Sequence, residues 1–228
     1  MKAVIFDVDG VIVDVRNSYH KAIKETVEFF YGKEISLEEI KRIKYEKVIN
    51  NDWDVTAEIL KKYGIEVNYK KLVDKFTEIY MNYKDKETLL LSPALFYRLN
   101  KEGVPLGIVT GRPKEDLLFV FNRFGLGKFF SVTIDEDDIW DKNLRKPHPF
   151  PLHLCMEALK VKEAVYIGDS PADFEMVLFY RKIYGRKVKF VHFKRAVSLN
   201  LSADFSTDNE EELSDFLFQE VYHCQVKE

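Results

Sequence analysis

Two carboxylates near the start of the chain, in Asp7-Val8-Asp9-Gly10, directly follow the apolar run Ala3-Val4-Ile5-Phe6. An unbroken apolar run of that length predicts a strand buried on both faces of a parallel sheet. Asp7 and Asp9 then stand where the strand ends, which is the usual ligand crevice of an open α/β sheet. Gathering like charges there is costly unless a cation or a reaction offsets them. Gly10 permits a tight turn and a close approach of the backbone to a ligand. A surface Asp-x-Asp-Gly turn would read the same way, so this group alone leaves both possibilities open.

Three further polar groups follow in order. Leu106-Gly107-Ile108-Val109 runs into Thr110-Gly111-Arg112-Pro113, a long loop ends at Arg145-Lys146-Pro147-His148-Pro149, and Ala164-Val165-Tyr166-Ile167 runs into Gly168-Asp169-Ser170-Pro171-Ala172-Asp173. Together the four groups resemble the four motifs of the haloacid dehalogenase (HAD) superfamily of phosphotransferases, over nearly the whole chain. The subgroup resembled is that of the phosphoglycolate phosphatases and β-phosphoglucomutases, which carry a small helical cap. The resemblance implies an α/β fold: a Rossmann-like, doubly wound parallel sheet with an all-helical cap inserted after the first strand.

The resemblance also implies roles. Asp7 is expected to be the nucleophile that forms an aspartyl-phosphate, and Asp9 the acid and base for the leaving oxygen and the hydrolytic water. Asp7, Asp169 and the main-chain carbonyl of Asp9 are expected to hold Mg²⁺, with Asp173 as a ligand or acting through water. Thr110, Gly111 and Lys146 are expected to bind phosphate oxygens. The electrostatics make such a set necessary. A carboxylate about 4 Å from a phosphate charge is repelled by roughly 4 kcal/mol per unit charge at an effective dielectric near 20, so cations must screen the encounter. Mg²⁺ is a hard ion that takes a few carboxylates together with water and phosphate oxygens.

Plainer readings stand beside these. Ser170-x-x-Asp173 has capping-box spacing, Thr110-Gly111 is an acceptable strand-to-helix turn, and Lys146 alone could lie on any surface. Arg112 and Arg145 are expected to be solvent-exposed unless they touch phosphate. Asp14 is a hinge residue or a cap, and Asp135-Glu136-Asp137-Asp138 lacks calcium-loop spacing and reads as a solvated loop. His20, Asn51 and Trp53 are candidate substrate contacts of the helical insert. His20 reads equally as a residue of the insert's surface, and Asn50-Asn51-Asp52-Trp53-Asp54 as a turn between helices.

The elements that must position these residues fall into two regions. From about residue 94 onward, helix and strand patterns alternate as in βαβ units. Between Asp14 and Thr88 helical patterns dominate, over Ser18–Phe30, Leu37–Lys47, Val55–Tyr63 and Tyr69–Lys84. The expected division is a core of residues 1–15 and 89–228 and a cap of residues 16–88. Ser36-x-x-Glu39 and Thr207-Asp208-Asn209-Glu210 read as capping boxes, the latter opening a terminal helix.

The 228 residues carry a formal net charge of −3, so no broad positive field points to nucleic acid. No uncharged run is long enough to cross a bilayer, and Asp7 and Asp9 interrupt any signal-peptide core. Cys155 and Cys224 show no metal-ligand spacing and suggest a reducing, cytoplasmic setting. Abundant Lys and Glu with little Gln hint at a thermophile. The expected function is a Mg²⁺-dependent phosphatase of a small phosphorylated metabolite, acting as a monomer or homodimer. A sugar-phosphate mutase and a non-catalytic binding or signalling module are the alternatives. A lysine-rich insert leaves a Schiff-base phosphonate hydrolase open, whereas a dehalogenase would have no use for Asp9.

Overall fold

The computed structural model describes residues 2–194 and 201–225. The chain divides into two compact units, Asp14–Thr88 on one side and Met1–Val13 with Leu89–Glu228 on the other. The first unit contains helices α1 (Tyr19–Tyr31), α2 (Leu37–Glu46), α3 (Asp52–Lys62) and α4 (Tyr69–Met81). Apolar residues recur three and four positions apart, as a helix buried on one face requires. Ala22, Ile23 and Val27 of α1, Val55 and Ile59 of α3, and Leu72, Phe76 and Tyr80 of α4 are all buried. Asn51 Oδ1 accepts from the amides of Trp53 and Asp54, so α3 begins at Asp52. The polar stretch 50–54 is therefore mostly a cap and a first helical turn. Ser36 caps α2 through the Glu39 amide at 3.1 Å, but the Glu39 carboxylate turns away to the Tyr63 hydroxyl at 2.7 Å and to Lys62. The predicted box is thus half-formed.

The second unit is built on β1 (Lys2–Phe6). Two short strands, β2 (Val13–Asp14) and β3 (Thr88–Leu89), form a separate small sheet. After α5 (Pro93–Lys101) come β4 (Leu106–Val109), α6 (Lys114–Phe124), β5 (Val132–Ile134), α7 (Phe150–Ala158), β6 (Glu163–Gly168), α8 (Pro171–Tyr184), β7 (Lys187–Phe193), β8 (Phe205–Thr207) and α9 (Glu210–Gln225). The main sheet has the order β5-β4-β1-β6-β7-β8 and is parallel throughout. From β1 the chain winds outward through β4 and β5, then returns to β6 on the opposite side of β1. Strand β1 is therefore the topological switch point, where the crevice beyond the strand ends is open.

Alternate residues of the strands serve opposite faces. Ile5, Tyr166 and Phe190 pack with Leu152 and Met156 of α7 and Met176, Val177 and Tyr180 of α8. Phe6 points the other way, with its ring 5.3 Å from that of Phe96 on α5. Burying one such side chain stabilises the fold by about 1.5–3 kcal/mol. The bulky run after Asp173 is divided: Met176, Val177 and Tyr180 enter the core, while Leu178 and Phe179 face outward. Strand β8 was not anticipated, because three residues are too few to show a period. The cap of α9 is Asn209, whose Oδ1 accepts from the amides of Glu211 and Glu212. Thr207, the expected cap, ends β8 and instead accepts from the Asn209 amide at 3.0 Å.

Candidate active site

Phe6 is level with Ile108 of β4 and Ile167 of β6. Asp7, Thr110 and Asp169 therefore leave three adjacent strands at the same edge. The Asp7 amide donates to the Ile167 carbonyl at 2.9 Å, which fixes its main chain between its neighbours. Asp7, Asp169 and Asp173 each present a carboxylate oxygen within 4.8 Å of the other two. Lys146 Nζ stands among them, 2.9 Å from Asp7 Oδ1 and 2.7 Å from Asp173 Oδ1. Two glycines make the approach possible. A Cβ on Gly10, whose φ is +76°, would lie 2.0 Å from Asp169 Oδ2, and one on Gly168 would lie 2.5 Å from Asp173 Cβ.

Asp173 is completely buried. Its Oδ1 also accepts from the Tyr166 hydroxyl at 2.8 Å, and its Oδ2 accepts from the Ser170 hydroxyl at 2.6 Å and the Ser170 amide at 3.3 Å. The capping box is therefore present, and the same carboxylate also faces Lys146. With four donors already on it, Asp173 is a holder of Lys146 more than an open ligand. Tyr166 is a site residue that its place in an apolar strand run concealed.

Burial, reinforced by the charges of Asp173 and Asp9, pushes the Asp7 carboxyl up to about 7 although Lys146 opposes the shift. Burial also works against Asp173, but Lys146 and the Ser170 and Tyr166 donors hold its carboxyl below the ordinary range. Burial would lower Lys146, and Asp173 and Asp7 raise it instead. One lysine among three carboxylates leaves the cluster short of positive charge. The donors are hard oxygens, so the residues fit Mg²⁺. A cation there would return Asp7 to its carboxylate form.

On the other side of β1, Arg112 Nε lies 2.5 Å from Asp9 Oδ1. Arg112 is 1% exposed, contrary to the expectation for an arginine in a loop, because its charge is matched inside the fold. Thr110 is buried and its hydroxyl oxygen accepts from the Arg112 amide at 3.2 Å, with the half-buried Gly111 between them. The acidic run corrects a second expectation. Asp135 and Glu136 are buried, Glu136 pairs with Arg145, and Asp137 Oδ2 accepts from the Lys114 amide at 2.8 Å. Asp137 thus caps α6, whose own N-cap position is Pro113. Arg145 is likewise engaged, with Nε donating to the Ile139 carbonyl at 2.9 Å.

His20, Asn51 and Trp53 belong to the Asp14–Thr88 unit. Asn51 is a helix cap, and Trp53 is half-buried. His20 is buried and its Nδ1 has no hydrogen-bond partner, so it is no surface residue. Burial first, with Lys44 second, pushes its pKa down to about 4. Asp14 turns back on Arg16, accepting from its amide at 3.0 Å and from its guanidinium. Cys155 is a core residue whose thiol burial pushes up to about 12, and the Cys224 side chain lies outside the described residues. Among the described residues no helix is long and apolar enough to cross a membrane.

The family described as haloacid dehalogenase-like hydrolase matches residues 4–177. A phosphoglycolate phosphatase of Yersinia pseudotuberculosis is 28% identical over 181 residues, which are 76% of this chain and 75% of that protein. A pyrophosphatase PpaX of Halalkalibacterium halodurans is 26% identical over 181 residues, 76% and 77% of the two chains. In structure, a β-phosphoglucomutase of Clostridium difficile matches with a TM-score of 0.71 over 100% of both chains at 18% identity, a likeness of fold alone.

Proposed function

The chain belongs to the haloacid dehalogenase-like hydrolase family, and from that premise we propose that it is a Mg²⁺-dependent phosphatase of a small phosphorylated metabolite. The observation that carries this reading is the convergence of Asp7, Asp169 and the Asp173-held Lys146 at the open end of β1. Asp7 attacks phosphorus and forms an aspartyl-phosphate. Asp9, two residues on, is the proton carrier of the reaction. The Thr110 hydroxyl, the Gly111 amide and Lys146 bind the phosphoryl oxygens, Lys146 as a compact point charge. Asp7, Asp169 and the Asp9 carbonyl, with Asp173 behind them, would hold Mg²⁺, which would supply the remaining positive charge beside the phosphoryl group. Relatives named as phosphoglycolate phosphatase and pyrophosphatase support a small phosphorylated substrate.

A panel of phosphate esters and anhydrides assayed with Mg²⁺ tests the reading. Release of inorganic phosphate that Asp7→Asn eliminates is the expected result. Phosphate relocated on a sugar, with none released, would identify a mutase instead.

A further inference from the structure

Tyr166 stands between Val165 and Ile167 in β6 and is completely buried. It is level with Ile5 of β1 and Phe190 of β7, and its ring stacks on that of Phe190 with centroids 6.5 Å apart and planes 16° apart. The hydroxyl is thereby held at one point. A phenylalanine would fill the same space, and burying a hydroxyl is costly unless a partner answers it. Here the partner is Asp173, whose Oδ1 accepts from the hydroxyl at 2.8 Å. The Val109 carbonyl, just before Thr110, is 3.3 Å away, too far to hold the single proton against a carboxylate.

The same Oδ1 accepts from Lys146 Nζ at 2.7 Å, and Nζ lies 5.5 Å from the centre of the Tyr166 ring, within cation–π range. Tyr166 therefore acts on Lys146 in two ways. Its ring gives the ammonium a floor on the side of the sheet. Its hydroxyl takes up part of the acceptor strength of Oδ1, so Asp173 does not spend all of it on the ammonium. An ammonium has three donors, and Asp7 and Asp173 take two of them. We propose that Tyr166 is a positioning residue for Lys146, keeping the ammonium where its third N–H meets a phosphoryl oxygen. This rests on the reading of Lys146 as a phosphate contact.

Asp173 and Tyr166 are both sealed from solvent, so water does not replace a missing hydroxyl. Oδ1 would then turn its whole acceptor strength on Lys146, and the ammonium would settle toward Asp173 and away from the phosphoryl group. That contact serves substrate and transition state alike, so its loss raises KM more than it lowers kcat.

The test titrates inorganic phosphate into the Mg²⁺-saturated protein by calorimetry and measures KM and kcat with nitrophenyl phosphate. Tyr166→Phe, which keeps the ring and the volume, should weaken phosphate binding about 10-fold to 100-fold, the scale for a partner that orients a binding group. KM should rise with it, and kcat should change less. In a Lys146→Gln background the same substitution should add nothing further, because the two residues act as one unit. An unchanged phosphate affinity in a folded Tyr166→Phe protein would overturn the proposal, however far its melting temperature falls. A full loss added on top of Lys146→Gln would overturn it too. If Tyr166→Phe does not fold, replacing Tyr166 by a ring-fluorinated tyrosine, of nearly the same shape and a stronger donor, decides. Tighter phosphate binding supports the proposal, and unchanged or weaker binding overturns it. Phosphate affinity that Lys146→Gln alone leaves intact would instead overturn the reading of Lys146 as a phosphate contact, and turnover surviving in Asp7→Asn the phosphotransfer reading itself.

Discussion

The two units of this chain treat charge in opposite ways. The sheet unit buries Asp7, Lys146, Asp173, Arg112 and Glu136 at one end of the strands. The helical unit keeps most of its charge on the surface, in pairs such as Lys70–Asp74 and Lys75–Glu78, each worth under about 1 kcal/mol. Its helices satisfy their own backbones and need only caps. Parallel strands end together, so polar residues that follow them are forced into one crevice. The sheet unit thereby gains reactivity at the cost of stability, whereas the helical unit buries fewer charged side chains, chiefly Asp14 and Glu87.

The largest expected effect lies at the centre of the crowded crevice. Asp7→Asn should reduce turnover to background while the apoprotein becomes more stable near neutral pH. The folded carboxyl titrates at about 7 against an ordinary 3.8. Ionisation therefore costs the folded state stability as pH rises through that window. The gain in melting temperature should be clear at pH 8 and vanish near pH 4. An Asp7→Asn protein that is no more stable at pH 8 would mean that charge crowding is not what the site pays for.

Removing Mg²⁺ with EDTA should likewise end turnover. Added Mg²⁺ should raise the melting temperature of the wild type more than that of Asp7→Asn, which calorimetry reads without any substrate. Asp9→Asn should slow turnover by about 10² to 10⁴ and let phosphorylated Asp7 accumulate, visible after acid quench with labelled substrate. Failure to trap it would move Asp9 out of the hydrolytic step.

The helical unit should respond in stability and in the opposite direction of pH. His20, lowered by burial to about 4 from 6.5, is neutral when folded, so its contribution is present above pH 6.5 and is lost as pH falls toward 4. That loss is about 3 kcal/mol, and His20→Gln should flatten the profile measured by urea unfolding. The smallest effect belongs to Asn51→Ala, about 1 kcal/mol for a lost cap. A change in substrate ranking with Asn51→Ala or Trp53→Ala, at unchanged stability, would instead make this turn a specificity element.

What could be read from the chain alone was local. An apolar run, a carboxylate at its end and a glycine beyond it place Asp7, Asp9 and Asp169 at strand ends, because strand, turn and helix start are each set by neighbours in sequence. The same logic located the capping box at Ser170-x-x-Asp173 and the helical character of residues 19–81. What the tertiary structure decided are pairings between distant segments. Asp9 meets Arg112 across 103 positions and Lys146 meets Asp7 across 139. No period or spacing encodes such partners, so Arg112 read as exposed, Glu136 as solvated and Tyr166 as plain core. A side chain's charge is legible in sequence, but whether water or another side chain answers it depends on which strands lie side by side.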